Sequence, residues 1–343
     1  MMPLTSTRFY LPDDLNASVP AEKRGIRRDF VKLMALDRRT GEVKDDTFHN
    51  LGQYLNKGDV LVLNNSRTLP AVLNAEIKRL FHTVKEQAEV RLARRLSDNT
   101  WEVLIAGTKV KAGDMIYFSE TLQAEVKISH DNKPLQTVVF TESGSKLLDS
   151  IYRLGEPVRY EYIKEPWGLE YYQTVFASHP GSIEMPSAGR AFTWELLFKL
   201  QQKGIKIVFL QLHTGLSYFM DDKWKMEPGE HSEEFFIPEA AMQAVKEAHI
   251  RGNRVIAAGT TVVRALETAA KNNKLSGWTN LYIHSRHRLQ LVDGILTGLH
   301  EPEASHLDML SAFIDMRYLM AAYRDAVKKG YLWHEFGDMN LII

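Results

Sequence analysis

The chain has no cysteine in 343 residues. Disulfides, thiol nucleophiles and cysteine metal sites are therefore excluded, and the composition fits a cytoplasmic protein. It also has no net charge, with 43 lysines and arginines against 43 aspartates and glutamates. That balance argues against a protein that coats nucleic acid non-specifically but leaves room for a local basic patch. Two stretches are candidates: Lys23, Arg24, Arg27, Arg28, Lys32, Arg38 and Arg39, then Lys78, Arg79, Lys85, Arg91, Arg94 and Arg95. Acids interrupt both (Glu22, Asp29, Asp37; Glu76, Glu86, Glu89), as on a solvated face. No run approaches the about 18 apolar residues of a membrane span. The opening Met-Met-Pro-Leu-Thr-Ser-Thr lacks the apolar core of a signal peptide. Internal repeats and low-complexity segments are also missing. What is present is ordinary for a globular chain: 44% hydrophobic and 25% charged residues, with a length that predicts about two domains.

The order of elements divides the chain. Val31–Leu36 and Val43–Phe48 read as a hairpin around the turn at residues 37–42. A short helical piece over Leu51–Leu55 leads to a buried-type strand, Val60–Leu63, which runs into the polar loop Asn64-Asn-Ser-Arg-Thr-Leu-Pro70. From Ala71 to about Phe140 short alternating runs separated by turn residues predict a small antiparallel barrel or sandwich. Gly144–Leu154 reads as a helix, and Glu156–Gly168, aromatic and punctuated by Pro and Gly, as a connection between domains. Beyond Tyr171 strand and helix alternate. Thr193 caps a helix from Trp194, Ile205–Leu212 is a strand, and Pro238 opens a helix to about Arg251. Leu281–His284 reads as another strand, and Leu307–Lys328 as helix interrupted near Asp315. This alternation predicts helices around a mostly parallel sheet or an α/β barrel.

One stretch stands out. Val255–Ala258 suits a buried strand, Gly259 breaks it, Thr260 and Thr261 follow, and Val262–Ala270 reads as a helix. A strand that becomes a helix through Gly-Thr-Thr leaves N–H groups unpaired at the helix start, where polar or anionic groups are favoured. Arg264 and Glu267 lie three residues apart, so they project from nearly the same helical face. Taken alone, this reads more readily as a capped βα turn with an ordinary ion pair.

The ordered motifs around that stretch resemble one family, the S-adenosylmethionine:tRNA ribosyltransferase-isomerases of queuosine biosynthesis. The residues that carry the resemblance run from Leu61-Val-Leu-Asn-Asn-Ser-Arg67 through Tyr172-Gln-Thr-Val175, Pro186-Ser-Ala-Gly189, Leu212-His213 and His231-Ser-Glu233. They continue with Gly259-Thr-Thr261, Arg264, Glu267, Gly277-Trp-Thr279, Leu296-Thr297, His300, Pro302, Ser311-Ala-Phe313, Ala321-Ala-Tyr-Arg324 and Gly337-Asp338. The resemblance implies a discontinuous α/β-barrel-like domain (residues 1–70 and 155–343) with an inserted small antiparallel β-barrel (71–154). It also implies transfer and isomerisation of the ribosyl moiety of S-adenosylmethionine onto the 7-aminomethyl-7-deazaguanine wobble base of tRNA, giving epoxyqueuosine, adenine and methionine. S-adenosylmethionine is then a co-substrate, and no true cofactor is expected.

Such chemistry needs proton transfer and ligands for a zwitterionic amino acid and a ribose. The candidates for proton transfer are His213, His300, Asp293 and Asp338; for S-adenosylmethionine, Gly259, Thr260, Thr261, Arg264 and Glu267; for the tRNA base, Asn64, Arg67, Arg190 and His231. Tyr171, Tyr172, Phe176, Phe192, Tyr218 and Phe219 are available for stacking on a splayed-out base, with Phe176 and Phe192 expected in the core. A metal site is not expected, because Arg286 and Arg288 flank the second histidine of His284-Ser-Arg-His287. The chain departs from the family's usual pattern where Arg190-Ala191 replaces Leu-His, and where Asn65 replaces an aspartate. A second reading therefore stands beside the enzyme: a paralogue that keeps the fold and a nucleoside pocket but binds, or acts on, something else.

Overall fold

The computed structural model describes residues 9–130, 133–217, 219–220, 229, 232–302 and 304–343. The first strands are β1 (Lys32–Leu36), β2 (Val43–Thr47), β3 (Val60–Asn64) and β4 (Ser66–Thr68). Then come β5 (Val72–Arg79), β6 (His82–Arg95), β7 (Thr100–Ile105), β8 (Met115–Tyr117), β9 (Gln123–Ile128) and β10 (Leu135–Phe140). Helix α1 (Gly144–Leu154), strand β11 (His179–Ser182), helix α2 (Trp194–Gln202), strands β12 (Lys206–His213) and β13 (Glu233–Phe236) and helix α3 (Glu239–Ile250) follow. The chain finishes with β14 (Val255–Ala258), α4 (Thr260–Asn272), β15 (Ser276–Thr279), β16 (Gly294–Gly298), α5 (Ser305–Leu310), α6 (Met316–Lys328) and β17 (Met339–Ile342).

Among the described residues the larger unit is a nine-stranded mixed sheet in the order β15-β13-β12-β3-β14-β16-β17-β1-β2. Its centre, β12, β3, β14 and β16, is parallel. The central strands β3 and β14 are buried at every position, which is why they read as unbroken apolar runs. One core cluster packs α3, α4 and α6 on one face, and another packs Phe192 and the apolar side of α2 on the opposite face. The six strands β5 to β10 close into a separate antiparallel barrel with its own core around Trp101. The α/β character and the antiparallel barrel are thus as expected from the sequence.

Several local expectations are met and others corrected. Thr193 caps α2, its hydroxyl accepting from the Leu196 N–H at 3.1 Å. The interruption expected near Asp315 separates α5 from α6, and Asp315 caps the latter. The strand expected at Leu281–His284 is absent. Sheet pairing ends instead at Thr279, where β15 meets β13, and the Thr279 hydroxyl accepts from the Leu281 N–H at 3.2 Å, turning the chain out of the sheet. Strands β11, β13 and β17 are too short to show a period.

Candidate active site

The parallel strands β12, β14 and β16 all run toward one edge of the sheet, and the crevice beyond their carboxyl ends is where open α/β sheets bind ligands. A cleft of about 490 Å³ lies there, lined from β14 by Gly259, from β16 by Gly298 to His300, and from the loop after β12 by Thr214 and Gly215. Gly259 takes φ +102°, and a Cβ there would stand 3.3 Å from that of Ala188. The glycine therefore serves a left-handed turn and a close approach. As the N-cap of α4 it offers no side chain to close the helix start. Thr260 and Thr261, at the start of α4, line the cleft, and the first N–H groups of a helix have no partner within it.

Arg264 lines the same wall, one turn into α4. Its guanidinium donates to Glu233, to the Leu281 carbonyl at 3.2 Å and to the Thr279 carbonyl at 3.3 Å. Burial raises the Glu233 pKa, and Arg264 acts against that rise. Among the described lining residues Arg264 is the one arginine or lysine, against four glutamates (184, 233, 301 and 335).

His300 also faces the cleft. Its Nε2 lies 2.8 Å from the Thr297 hydroxyl, and its ring stacks on His306 with centroids 4.6 Å apart. Burial, then the neighbouring His306 and His334, hold its pKa well below the usual histidine value, so it is a neutral donor or acceptor at pH 7.

The opposite wall comes from chain that the sequence marked only as connection and tail. Tyr160 and Tyr162 from the return segment, Glu184 from the loop after β11, and His334 with Glu335 from the segment before β17 all line it. Sequence reasoning missed these residues. The one available signal was the aromatic content of Glu156–Gly168.

The structure does not bring every candidate to the cleft. Asp293 stands at the amino end of β16, the far edge of the sheet, where it accepts from the Val255 N–H at 2.8 Å and meets His249 at 3.0 Å. Asp338 is a buried staple, accepting from the N–H groups of Lys32 and Leu332, each at 2.7 Å. Glu267 is fully buried and diverges from Arg264. It accepts from the backbone of Gln290 and Leu291 at 2.9 Å each, because three helical residues turn the side chain about 60° away. Arg190 is buried, donates to Glu22 at 2.7 Å and to the Tyr171 carbonyl at 2.9 Å, and sits over the Phe336 ring. It ties the end of the Ser187–Gly189 turn to Tyr171, Glu22 and Phe336.

Arg67 is exposed over the Tyr152 ring. Asn64 lies beneath the cleft, donating to the Leu212 carbonyl at 2.9 Å and the Thr261 hydroxyl at 3.2 Å, and so braces β3, β12 and the start of α4. His213 turns into a small recess with Arg95, Glu234 and Trp278 behind Thr214, its pKa lowered to about 4 by burial and then Arg95. His231 and Tyr218 lie outside the described residues. Tyr172 lines the cleft, whereas Phe176 and Phe192 are core and Phe219 belongs to the barrel's core. No helix among the described residues is long and apolar enough to cross a membrane.

Comparison with known proteins places this geometry in context. The family model described as "Queuosine biosynthesis protein" matches residues 4–342. S-adenosylmethionine:tRNA ribosyltransferase-isomerases from Caldanaerobacter subterraneus subsp. tengcongensis and Aquifex aeolicus are 37% and 35% identical, each comparison covering 98% of both chains. The crystal structure of the Thermotoga maritima S-adenosylmethionine tRNA ribosyltransferase is similar with a TM-score of 0.56 and 30% identity, over 98% of this chain and 99% of that one.

Proposed function

The chain belongs to the queuosine biosynthesis protein family, and on that premise we infer that it is an S-adenosylmethionine:tRNA ribosyltransferase-isomerase. It moves the ribosyl moiety of S-adenosylmethionine onto the 7-aminomethyl-7-deazaguanine of tRNA, with loss of adenine and methionine. S-adenosylmethionine is consumed as a co-substrate. The relatives' names support this enzyme over the binding-protein reading.

The observation that carries the assignment is the charge of the cleft: four glutamates and several tyrosines face it, with Arg264 as the one described lysine or arginine. Both partners bring a cation, the sulfonium of one and the ammonium of the other. An acidic crevice concentrates cations, with Glu335 serving the ammonium, and tyrosine faces attract them. Within it, the start of α4 at Gly259, Thr260 and Thr261 is suited to the methionine carboxylate, with Arg264 adding positive charge at that end. His300, neutral and hydrogen-bonded to Thr297, is suited to the ribose or to the departing adenine. Asn64 acts from below by holding Thr261. We assign residues 1–70 and 155–343 to the domain that carries this site and 71–154 to the inserted barrel. A tRNA substrate places the reaction in the cytoplasm.

The test is chromatographic. Purified protein incubated with S-adenosylmethionine and precursor-modified tRNA is expected to release adenine in step with tRNA modification. Release no greater than a heat-killed control, with S-adenosylmethionine still bound, contradicts the assignment.

A further inference from the structure

The wall opposite α4 is built as a stack. The rings of Tyr160 and Tyr162 are parallel within 4°, centroids 5.9 Å apart. Tyr162 stacks in turn on His334, with centroids at 4.2 Å and planes within 18°. His334 takes φ +71°, a conformation a non-glycine residue holds only where its surroundings enforce it. That turn places His334 on the stack and the next residue, Glu335, at its phenol. His334 is fixed from behind, with Nε2 2.7 Å from the Asn16 amide oxygen.

Each phenol is matched to a carboxylate. The Tyr162 hydroxyl donates to Glu335. The Tyr160 hydroxyl lies 3.2 Å from the Ser217 hydroxyl, and Ser217 donates to Glu184 through its N–H at 2.7 Å and its hydroxyl at 2.8 Å. Both carboxyl groups are buried and hydrogen-bonded. Burial raises the Glu184 pKa, and the Ser217 N–H, the Tyr160 hydroxyl and the Ser217 hydroxyl act against that rise. At Glu335 burial pushes the pKa up to about 7 against the pull of the Tyr162 hydrogen bond, with the facing carboxyl groups of Glu184 and Glu301 adding to the rise. A carboxyl group that exchanges its proton near neutrality is what a base acting on an ammonium needs.

We propose that Glu335 is the general base that takes the proton from the aminomethyl ammonium of the tRNA base, and that Tyr162, on the Tyr160–His334 stack, is its positioning residue. This rests on the ribosyl-transfer reading given above. A nitrogen–hydrogen bond breaks and its proton passes to a Glu335 carboxylate oxygen. The freed nitrogen lone pair forms the bond to the ribosyl carbon that carries sulfur. The carbon–sulfur pair leaves with sulfur, so the sulfonium becomes the neutral thioether of methionine. The new secondary amine carries the positive charge; in the isomerisation that follows, the glycosidic bond breaks with its electron pair going to adenine, which takes up a proton, and Glu335 returns its own proton to solvent.

The test follows adenine release across pH 5.5 to 9 in the full-length protein, with S-adenosylmethionine affinity measured calorimetrically in each variant to show an intact fold. Wild type is expected to gain kcat/KM through an acid limb near pH 7. Glu335→Gln is expected to lower kcat by about 100-fold and lose that limb, at an S-adenosylmethionine affinity within about two-fold of wild type. Tyr162→Phe removes a donor that favours the carboxylate, so the limb moves to higher pH, with a kcat loss of about ten-fold. A limb retained in Glu335→Gln, or unmoved in Tyr162→Phe, overturns the base assignment alone. Wild type that binds S-adenosylmethionine but releases no adenine overturns both the base and the ribosyl-transfer reading.

Discussion

The two walls of the cleft are made in opposite ways. The α4 wall is one continuous stretch, β14 into Gly259 into α4, and its polar groups follow from a strand end meeting a helix start. The far wall is assembled from irregular chain. Its Tyr162–Glu335 contact joins residues 173 positions apart, and its ring stack depends on a left-handed turn at His334. The first wall offers fixed backbone donors and a cation, which suit an anion and a ribose. The second offers phenols and the Glu335 carboxyl group, which exchanges its proton near neutrality and suits an ammonium and its deprotonation. One side binds and the other moves protons.

Variants can break that division. Among variants of the α4 wall, the largest loss of binding is expected from Gly259→Val. A side chain at φ +102° and 3.3 Å from Ala188 costs roughly 1–3 kcal/mol of strain. It closes the helix start, so S-adenosylmethionine binding weakens by at least about ten-fold while the Tyr162–Glu335 pair stays intact. Arg264→Ala comes next. It leaves Glu233 buried without its cation, so we expect about 3 kcal/mol lower stability in denaturant titrations and roughly ten-fold weaker S-adenosylmethionine binding.

Arg190→Ala is expected to cost about 1–2 kcal/mol by releasing Glu22 and Phe336 and to leave S-adenosylmethionine affinity within about two-fold. If it weakened binding more than Arg264→Ala, the α4 wall would be wrongly assigned. Smallest of all is Asp293→Asn. At the far edge of the sheet, the amide oxygen can still accept from the Val255 N–H while the charge paired with His249 is lost, about 1 kcal/mol of stability, with kcat/KM for adenine release within about two-fold of wild type.

The same contrast explains what was legible in the sequence. The barrel declared itself because turn residues cut 71–140 into alternating runs, and those runs became β5 to β10. The α4 wall was legible because Gly259-Thr260-Thr261 is a local signal. Arg264 and Glu267 were expected side by side, yet the helix turn between them sends one to the cleft and the other under Gln290 and Leu291. Asp293 and Asp338 had the chemistry of a proton carrier but not the place. Backbone N–H groups claim both, and sequence shows residue type without showing which end of a strand it occupies. Arg190 and Ala191 depart from the family's usual residues, and Glu22, from the chain's N-terminal part, neutralises the new arginine. Tyr160, Tyr162 and Glu335 were invisible because only tertiary packing brings a connector and a tail together.

The division between the walls meets its most direct test in calorimetric titration of S-adenosylmethionine into wild type, Arg264→Ala and Glu335→Gln at neutral pH. The account predicts affinity about ten-fold weaker in Arg264→Ala and within about two-fold of wild type in Glu335→Gln. Affinity lost in Glu335→Gln and kept in Arg264→Ala would contradict it.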